Sequence, residues 1–433
     1  MFGDEGDLRM SEIMSGRAPP GPAAQDRDPQ GRRTQKYRLR QAQIVRSAVA
    51  HINGKGVRGM TLADVAAGLG MVPTGVIYYF ASKEELAAAC FLKTLEAYDG
   101  LIAEAERGRD RAERVGRLVR GYVARARDVA LGAAEPLAVF NDVRALDDPG
   151  VNAAYTAMFR RARDLLGPMG EDDAARQGCN AAAHLILSQL FWSVVWLPRY
   201  DPQDYERAGE RMLDILERGL GTPGVAWAPR PTPGFAGDAP REDVSRETFL
   251  RAATQIINEE GYRGASVEKI SARLNVTKGS FYHHIEAKDD LVVACFRRTA
   301  EVMRRAQRTA GQGAKDGWSR LGAAAAWLVE QQVAGDTPLL RTSALTSAPP
   351  AIRADLLAEF DRISLAFASM ISDGVADGSL RAVDPNIAAQ LVTAMINAGA
   401  ELQYWAPRLS PDAAIHSYVR ALFQGVGATL PGR

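Results

Sequence analysis

Between Arg246 and Glu260, apolar residues stand at Phe249, Ala252, Ala253, Ile256 and Ile257. That is the three- and four-residue spacing of a helix with one buried face. Ser245 is placed to cap its start and Gly261 to end it. The pattern then shortens. Ser266 precedes a brief helix with Val267, Ile270 and Leu274 inward; Asn275-Val276-Thr277 reads as a tight turn, Lys278 to His284 as a second short helix, and a further helix opens near Lys288. The same succession occurs upstream. Arg40 to Lys55 forms a first helix ended by Gly56, and Thr61-Leu62-Ala63-Asp64 has the form of a capping box. Val65 and Leu69 face inward, Gly70-Met71-Val72 turns, and Pro73 suits the first position of the next helix. Ser82-Lys83-Glu84-Glu85 caps a fourth. A longer helix followed by two short ones across a tight turn is a helix-turn-helix unit. β-branched runs are scarce, so the expected fold class is all-α.

The two passages are copies. Setting each residue against the one 205 positions later aligns Arg46 with Arg251, Ile52-Asn53 with Ile257-Asn258, Gly56 with Gly261 and Ala89-Cys90-Phe91 with Ala294-Cys295-Phe296. The register holds without a gap for about fifty residues. Farther on it drifts, and Trp196-Leu197-Pro198 resembles Trp405-Ala406-Pro407. Residues 221–240 are rich in Pro and Gly and read as a linker, partly extended. The expected organisation is a disordered basic arm (1–35), a helix-turn-helix domain (36–86), a helical domain (87–220), the linker (221–240), a second helix-turn-helix domain (241–291) and a second helical domain (292–433).

"TLADVAAGLGMVPTGVIYYFASKEEL" and "SVEKISARLNVTKGSFYHHIEAKDDL" both resemble the DNA-binding signature of the TetR (tetracycline repressor) family. The resemblance covers about fifty residues in each copy, with an aromatic-rich third helix, an apolar residue after it (Phe80, Ile285) and a lysine opening the fourth helix (Lys83, Lys288). Copy one departs at Ile77, where copy two has Tyr282. A recognition helix presents its N-terminal and outer residues to bases and phosphates. In copy two these are Thr277, Lys278, Gly279, Ser280, Tyr282, His283 and His284; in copy one they are Val72, Pro73, Thr74, Gly75, Tyr78 and Tyr79. The resemblance implies phosphate contacts for Tyr78 and His283, each with the next residue, and for Lys83 and Lys288; Val76 and Phe281 face the core of the small domain. The capping Thr61 and Ser266 and the arm residues Arg38 and Arg40 complete the expected DNA-binding set.

Net charge is only +1, yet no acidic residue occurs from Pro29 to Ala63, where eight Lys and Arg gather. That run is either a disordered basic tail or an arm that reaches a phosphate backbone. The two heads differ, with Lys278 against Pro73 and the basic arm against Arg241-Glu242-Asp243. Either they prefer different sequences, so that the operator need not be a palindrome, or one head only grips phosphates or is decayed.

The regions after the fourth helices show amphipathic helices without motifs. The resemblance implies an effector pocket and a pairing surface there, with double-stranded DNA and a small apolar or amphipathic effector as partners. Pocket candidates are Tyr122, Phe140, Arg144, Tyr155, Phe159, His184 and Trp192 in copy one, and Trp327, Phe360, Phe367, Met370, Met395 and Tyr404 in copy two; each also reads as ordinary core. The last two helices of each copy (about 174–197 with 203–220, and 386–405 with 412–427) are expected to meet as a four-helix bundle. Leu187, Leu190, Val194, Leu213 and Leu216 lie on one side, and Leu391, Met395, Leu402, Leu422 and Phe423 on the other. A linker of this length reaches roughly 60 Å extended, against ~35 Å between recognition helices one DNA turn apart. One chain is thus able to form a pseudodimer; the rival is a homodimer of chains with four heads, or with one reading head per chain.

No GxSxG, HExxH, Walker loop or strand-borne GxGxxG is present, which argues against an enzyme, and no cofactor is expected. Adjacent helical residues point about 100° apart, so His283 and His284 are poorly placed to chelate one metal ion. Three scattered cysteines suggest a reducing cytoplasm, and no apolar run reaches the roughly 18–20 residues of a membrane helix. The sequence reading is a transcriptional regulator, a repressor released by its effector; the alternative is a regulator without effector, or an activator.

Overall fold

In the computed structural model, the structure describes residues 29–140, 143, 146–170, 172–229, 244–277, 279, 288–341, 344 and 350–430. Among them every regular element is a helix, with one isolated antiparallel bridge between Gly221 and Leu380. The class is all-α, as expected.

Residues 1–43 and 44–433 are two units. In the first, helix α1 (Pro29–Gly59) begins at Pro29, not at Arg40, so the end of the expected disordered arm is helical. Proline suits a first helical turn, and the Gln, Arg and Lys that follow are good helix formers. Arg38 is exposed, and Arg40 Nη1 donates to Gln43 Oε1 at 2.9 Å. Residues 1–28 of the arm lie outside the described residues.

In the second unit α1 continues from Ile44 and bends at Gly56 (φ +70°), the residue expected to end it. Then come α2 (Leu62–Gly68), α3 (Pro73–Ile77), α4 (Lys83–Glu106), α5 (Arg111–Ala130), α6 (Pro149–Asp164), α7 (Asp173–Trp196) and α8 (Tyr205–Arg218). The second module repeats the plan with α9 (Val244–Gly264), α10 (Val267–Leu274), α11 (Lys288–Ala310), α12 (Gly317–Ala334), α13 (Pro350–Ala376), α14 (Pro385–Ala398), α15 (Leu402–Trp405) and α16 (Pro411–Ala414). A π-helical turn, Ile415–Val419, carries α16 into α17 (Arg420–Gln424). Helix α9 starts before Ser245 and runs past Gly261, so neither residue acts as the expected boundary. Caps fix many of the other starts. Ser82 Oγ accepts from Glu85 N at 3.1 Å while Glu85 Oε2 accepts from Ala81 N, and Asp110, Asp148, Asp172, Asp316 and Asp384 each accept a backbone N–H.

Helices α7 and α8 pack against α14 and α17. Leu187, Leu190, Leu213 and Leu216 on one side, and Leu391, Met395, Leu402, Leu422 and Phe423 on the other, are all buried. Val194 is the exception at 44% exposure, because it lines an open cavity instead of the contact. Hydrogen bonds cross this seam: Gln189 Nε2 donates to Leu391 O (3.2 Å), Trp192 Nε1 to Gln390 Oε1 (3.2 Å) and Asn180 Nδ2 to Trp405 O (2.8 Å). Arg381 pairs with Asp214 at 2.6 Å, and Arg211 with Asp384.

Residues 221–229, the first part of the expected linker, are docked. Trp227 lies against Phe423 and Trp318 (ring centroids 4.9 and 5.6 Å), Trp318 Nε1 donates to Ala226 O, and Gln424 Nε2 to Val225 O. The tryptophan and valine between the prolines give this segment an apolar surface to bury; residues 230–240 lie outside the described residues. The stretch Asp173–Arg199 is, contrary to the sequence reading, long and apolar enough to cross a membrane, and 72% of its apolar 18-residue window is buried within the protein. Its apolar surface faces the seam on one side and its own module's core on the other.

Candidate nucleic-acid interface and seam cavity

In the first head, Thr61 Oγ1 accepts from Asp64 N (3.0 Å) and starts α2. The turn to α3 passes through Gly70 at φ +63°; the corresponding residue of the second head, Asn275, has φ +55°. Glycine and asparagine are the residues that most readily enter this left-handed region. The turn sets Val76 and Phe80 into the core, as expected for Val76, and leaves Val72, Pro73, Thr74 and Tyr78 on the surface. Tyr78 is the most exposed aromatic of the group, at 74%. Gly75 and Tyr79 are half-buried, with Tyr79 edge-on to Tyr78 at 5.2 Å. Lys83, the first residue of α4, is half-buried, and its Nζ lies 3.4 Å from Arg58 O. Ile77, set aside in the sequence only as a departure, is exposed on the same short helix, where an apolar side chain can meet a thymine methyl group.

In the second head Ser266 Oγ accepts from Lys269 N (3.2 Å), and Thr277 and Gly279 are exposed. Lys278, Ser280, Phe281, Tyr282, His283 and His284 lie outside the described residues, as does the side chain of Lys288. The two heads share one ion pair with its polarity reversed. Lys55 bonds Asp64 at 3.2 Å in the first; Glu260 and Lys269 pair at the corresponding positions in the second. Hydrogen bonds from Lys55, then from Thr61, hold the Asp64 carboxyl below its ordinary range.

Each head is fastened to its helical domain by a device that the repeat contains but whose role the sequence reading did not see. Asn53 Nδ2 donates to Leu137 O and its Oδ1 accepts from Val139 N, both at 2.9 Å. Asn258 Nδ2 donates to Leu339 O (2.8 Å) and its Oδ1 accepts from Arg341 N (3.0 Å). Thr94 and Thr299 take the intervening amides of Ala138 and Leu340. Replacing Asn258 by leucine is expected to leave a carbonyl and an amide unpaired and to lower stability by about 2 kcal/mol. Hydrogen exchange at the Arg341 amide checks this; protection equal to wild type would refute it.

A cavity of about 1,020 Å³ opens between the modules. Phe140, Tyr155, Phe159, His184 and Trp192, from one module, and Phe360 and Tyr404, from the other, line it and are among the pocket candidates named from the sequence. Tyr122, Trp327, Phe367, Met370 and Met395 do not line it. They are buried in the helical cores, Tyr122 beside Tyr98, since apolar helical spacing places a residue inward without saying what it faces. Arg144 lies outside the described residues. The sequence reading missed Trp405, whose ring stacks on Phe159 with centroids 3.8 Å apart.

The family model for bacterial regulatory proteins of the tetR family matches residues 44–90 and again 249–295, in the same 205-residue register. The chain carries the helix-turn-helix domain of the TetR family twice, in tandem. Over 75 residues it is 35% identical to the transposon Tn10 TetC protein of Escherichia coli, covering 17% of this chain and 38% of that one. Over 44 residues it is 43% identical to the HTH-type transcriptional repressor DhaR of Mycobacterium sp. (strain GP1), covering 10% and 22%. The chain thus spans well under half the length of these curated relatives. Among solved structures it is similar to the TetR family transcriptional regulator PfmR from Thermus thermophilus, at 20% identity and a TM-score of 0.35, covering 41% of this chain and 98% of that one. Both TetR matches begin inside the first helix of a head and end inside the fourth.

Proposed function

We propose that the chain is a sequence-specific DNA-binding transcriptional regulator, a repressor released by a small-molecule effector, whose two modules pair as an intramolecular pseudodimer. The observation that carries this reading is the twofold TetR match joined to the seam of α7 and α8 with α14 and α17. In the first head Arg38, Arg40, Thr61, Val72, Pro73, Thr74, Gly75, Tyr78, Tyr79 and Lys83 meet DNA; in the second, Ser266, Thr277 to Ser280, Tyr282 to His284 and Lys288. The exposure of Val72, Thr74, Tyr78 and Thr277 supports this. The reversed Lys55–Asp64 and Glu260–Lys269 pairs favour two heads of different preference and an operator of two unlike halves. The cavity is the effector site. Asn53 and Asn258 both reach its wall, so an occupant that changes the seam moves both heads and lowers operator affinity.

Genomic-DNA selection with the purified chain, with the stoichiometry of the complex, tests the reading. Two unlike half-sites about one helical turn apart, bound by one chain, are expected, with affinity falling steeply in salt. Absence of binding at low salt would reject it. Tyr78→Ala is expected to weaken binding roughly tenfold without altering the salt slope, because it removes no cation. An effect below about twofold would take Tyr78 out of the interface.

A further inference from the structure

The seam cavity contains a side chain with nothing to bond. Asn397, on α14, is only 9% exposed and faces the cavity, and neither its Nδ2 nor its Oδ1 has a hydrogen-bond partner. Its polar neighbours are engaged. Ser188 Oγ donates to Leu185 O, Thr393 Oγ1 meets Ser364 Oγ, and His184 Nε2 lies 2.9 Å from Ala398 O. A carboxamide buried with neither edge paired is a strong demand for a complementary group. The group that satisfies donor and acceptor together, in one plane, is a second cis-amide edge.

The flanking walls are flat. Phe191, Trp192, Phe360 and Trp405 all line the cavity, and stacked or edge-on rings suit an aromatic occupant. The site also has one orientation only. The offset that sets Trp196 beside Trp405 sets Ser188 beside Asn397 and His184 beside Thr393, and all four of these polar residues face the cavity. Two identical subunits would present Asn397 twice; this chain presents it once.

We propose that the seam cavity binds one molecule per chain of a planar aromatic ligand bearing a cis-amide (lactam) edge, paired with the Asn397 carboxamide. The inference rests on reading the cavity as the effector site. The probe is 2-quinolone, a flat bicycle with a lactam edge; 1-methyl-2-quinolone keeps the ring and the carbonyl but has lost the N–H donor. Calorimetry and tryptophan fluorescence on the full chain are expected to give one 2-quinolone per chain and at least about tenfold weaker binding of the methylated probe. Asn397→Leu, with its helicity checked by circular dichroism, should abolish that preference. No 2-quinolone binding at millimolar concentration, two sites per chain, or equal affinity of the two probes for the unmodified chain would each overturn the proposal, and the last comparison needs no variant. DNA binding at low salt is measured on the same preparation. DNA binding without probe binding rejects this site alone; probe binding without DNA binding rejects the regulator reading alone.

Discussion

Gly425→Ala is expected to lower the stability of the chain by about 4 kcal/mol, whereas Gly378→Ala lowers it by about 1 kcal/mol. Both glycines have positive φ, +86° and +80°, so both substitutions carry the strain of a Cβ in the left-handed half of backbone space. Only Gly425 adds a collision. A Cβ there would overlap the carbonyl of Glu217, at the end of α8 in the other module, while at Gly378 nothing lies within 4 Å. The contact is reciprocal. Gly219 ends α8 at φ +74°, its added Cβ would overlap Phe423 O, and Leu220 N donates to that same oxygen at 2.8 Å. The two modules' last helices therefore cross backbone to backbone, with a glycine on each side and no side chain between them to yield. Urea denaturation of the two variants measures the difference. Equal losses would mean that the crossing is loose, and would remove a main support for pairing of the modules within one chain.

The heads were legible in the sequence because they are local. Helical spacing at Phe249 to Ile257, a cap at Thr61 and Ser266, and a turn residue at Gly70 and Asn275 each act within a few positions. The seam leucines were legible for the same reason, as apolar faces on long helices. What those faces meet is not a local property. Val194 follows Leu190 by one turn and still lies on the cavity, and Met395 has the spacing of a pocket residue and lies in the core. Polar residues were harder still. Asn53, Asn258 and Asn397 carry no motif, and the partners of the first two lie more than eighty residues away. Composition says nothing of the linker's path: proline and glycine at 221–229 disfavour helix, but Trp227 decides where the chain goes.

Glu247→Ala is expected to cost about 3 kcal/mol at neutral pH, because it strands a buried cation. The Arg298 side chain is 5% exposed; its Nε donates to both Glu247 oxygens at 2.8 and 3.0 Å, and its Nη1 to Pro338 O at 2.7 Å. Arg251 adds a second bond to the same carboxylate. Through Arg298 the first turn of α9 is thus tied to α11 and to the segment that Asn258 clamps. Glu247 itself keeps some contact with water, which places the estimate at the lower end for a broken buried pair. The first module is built differently: Ala42 and Lys93 occupy these positions, and Lys93 pairs with Glu135. Burial pushes the Glu247 carboxyl up, but the hydrogen bonds and charge of Arg298, with Arg251, outweigh it and hold the group below its ordinary 4.5. A carboxylate depressed in the folded state contributes stability that is fully present above its unfolded pKa and is lost as pH falls through the folded one. The gap between wild type and Glu247→Ala should therefore stay constant near neutrality and close below about pH 4.5. Urea titrations of both proteins from about pH 7 down to about 3.5 test this. A gap that persists unchanged at the acid end would mean that Glu247 acts through its bulk, and not through the charge that Arg298 requires.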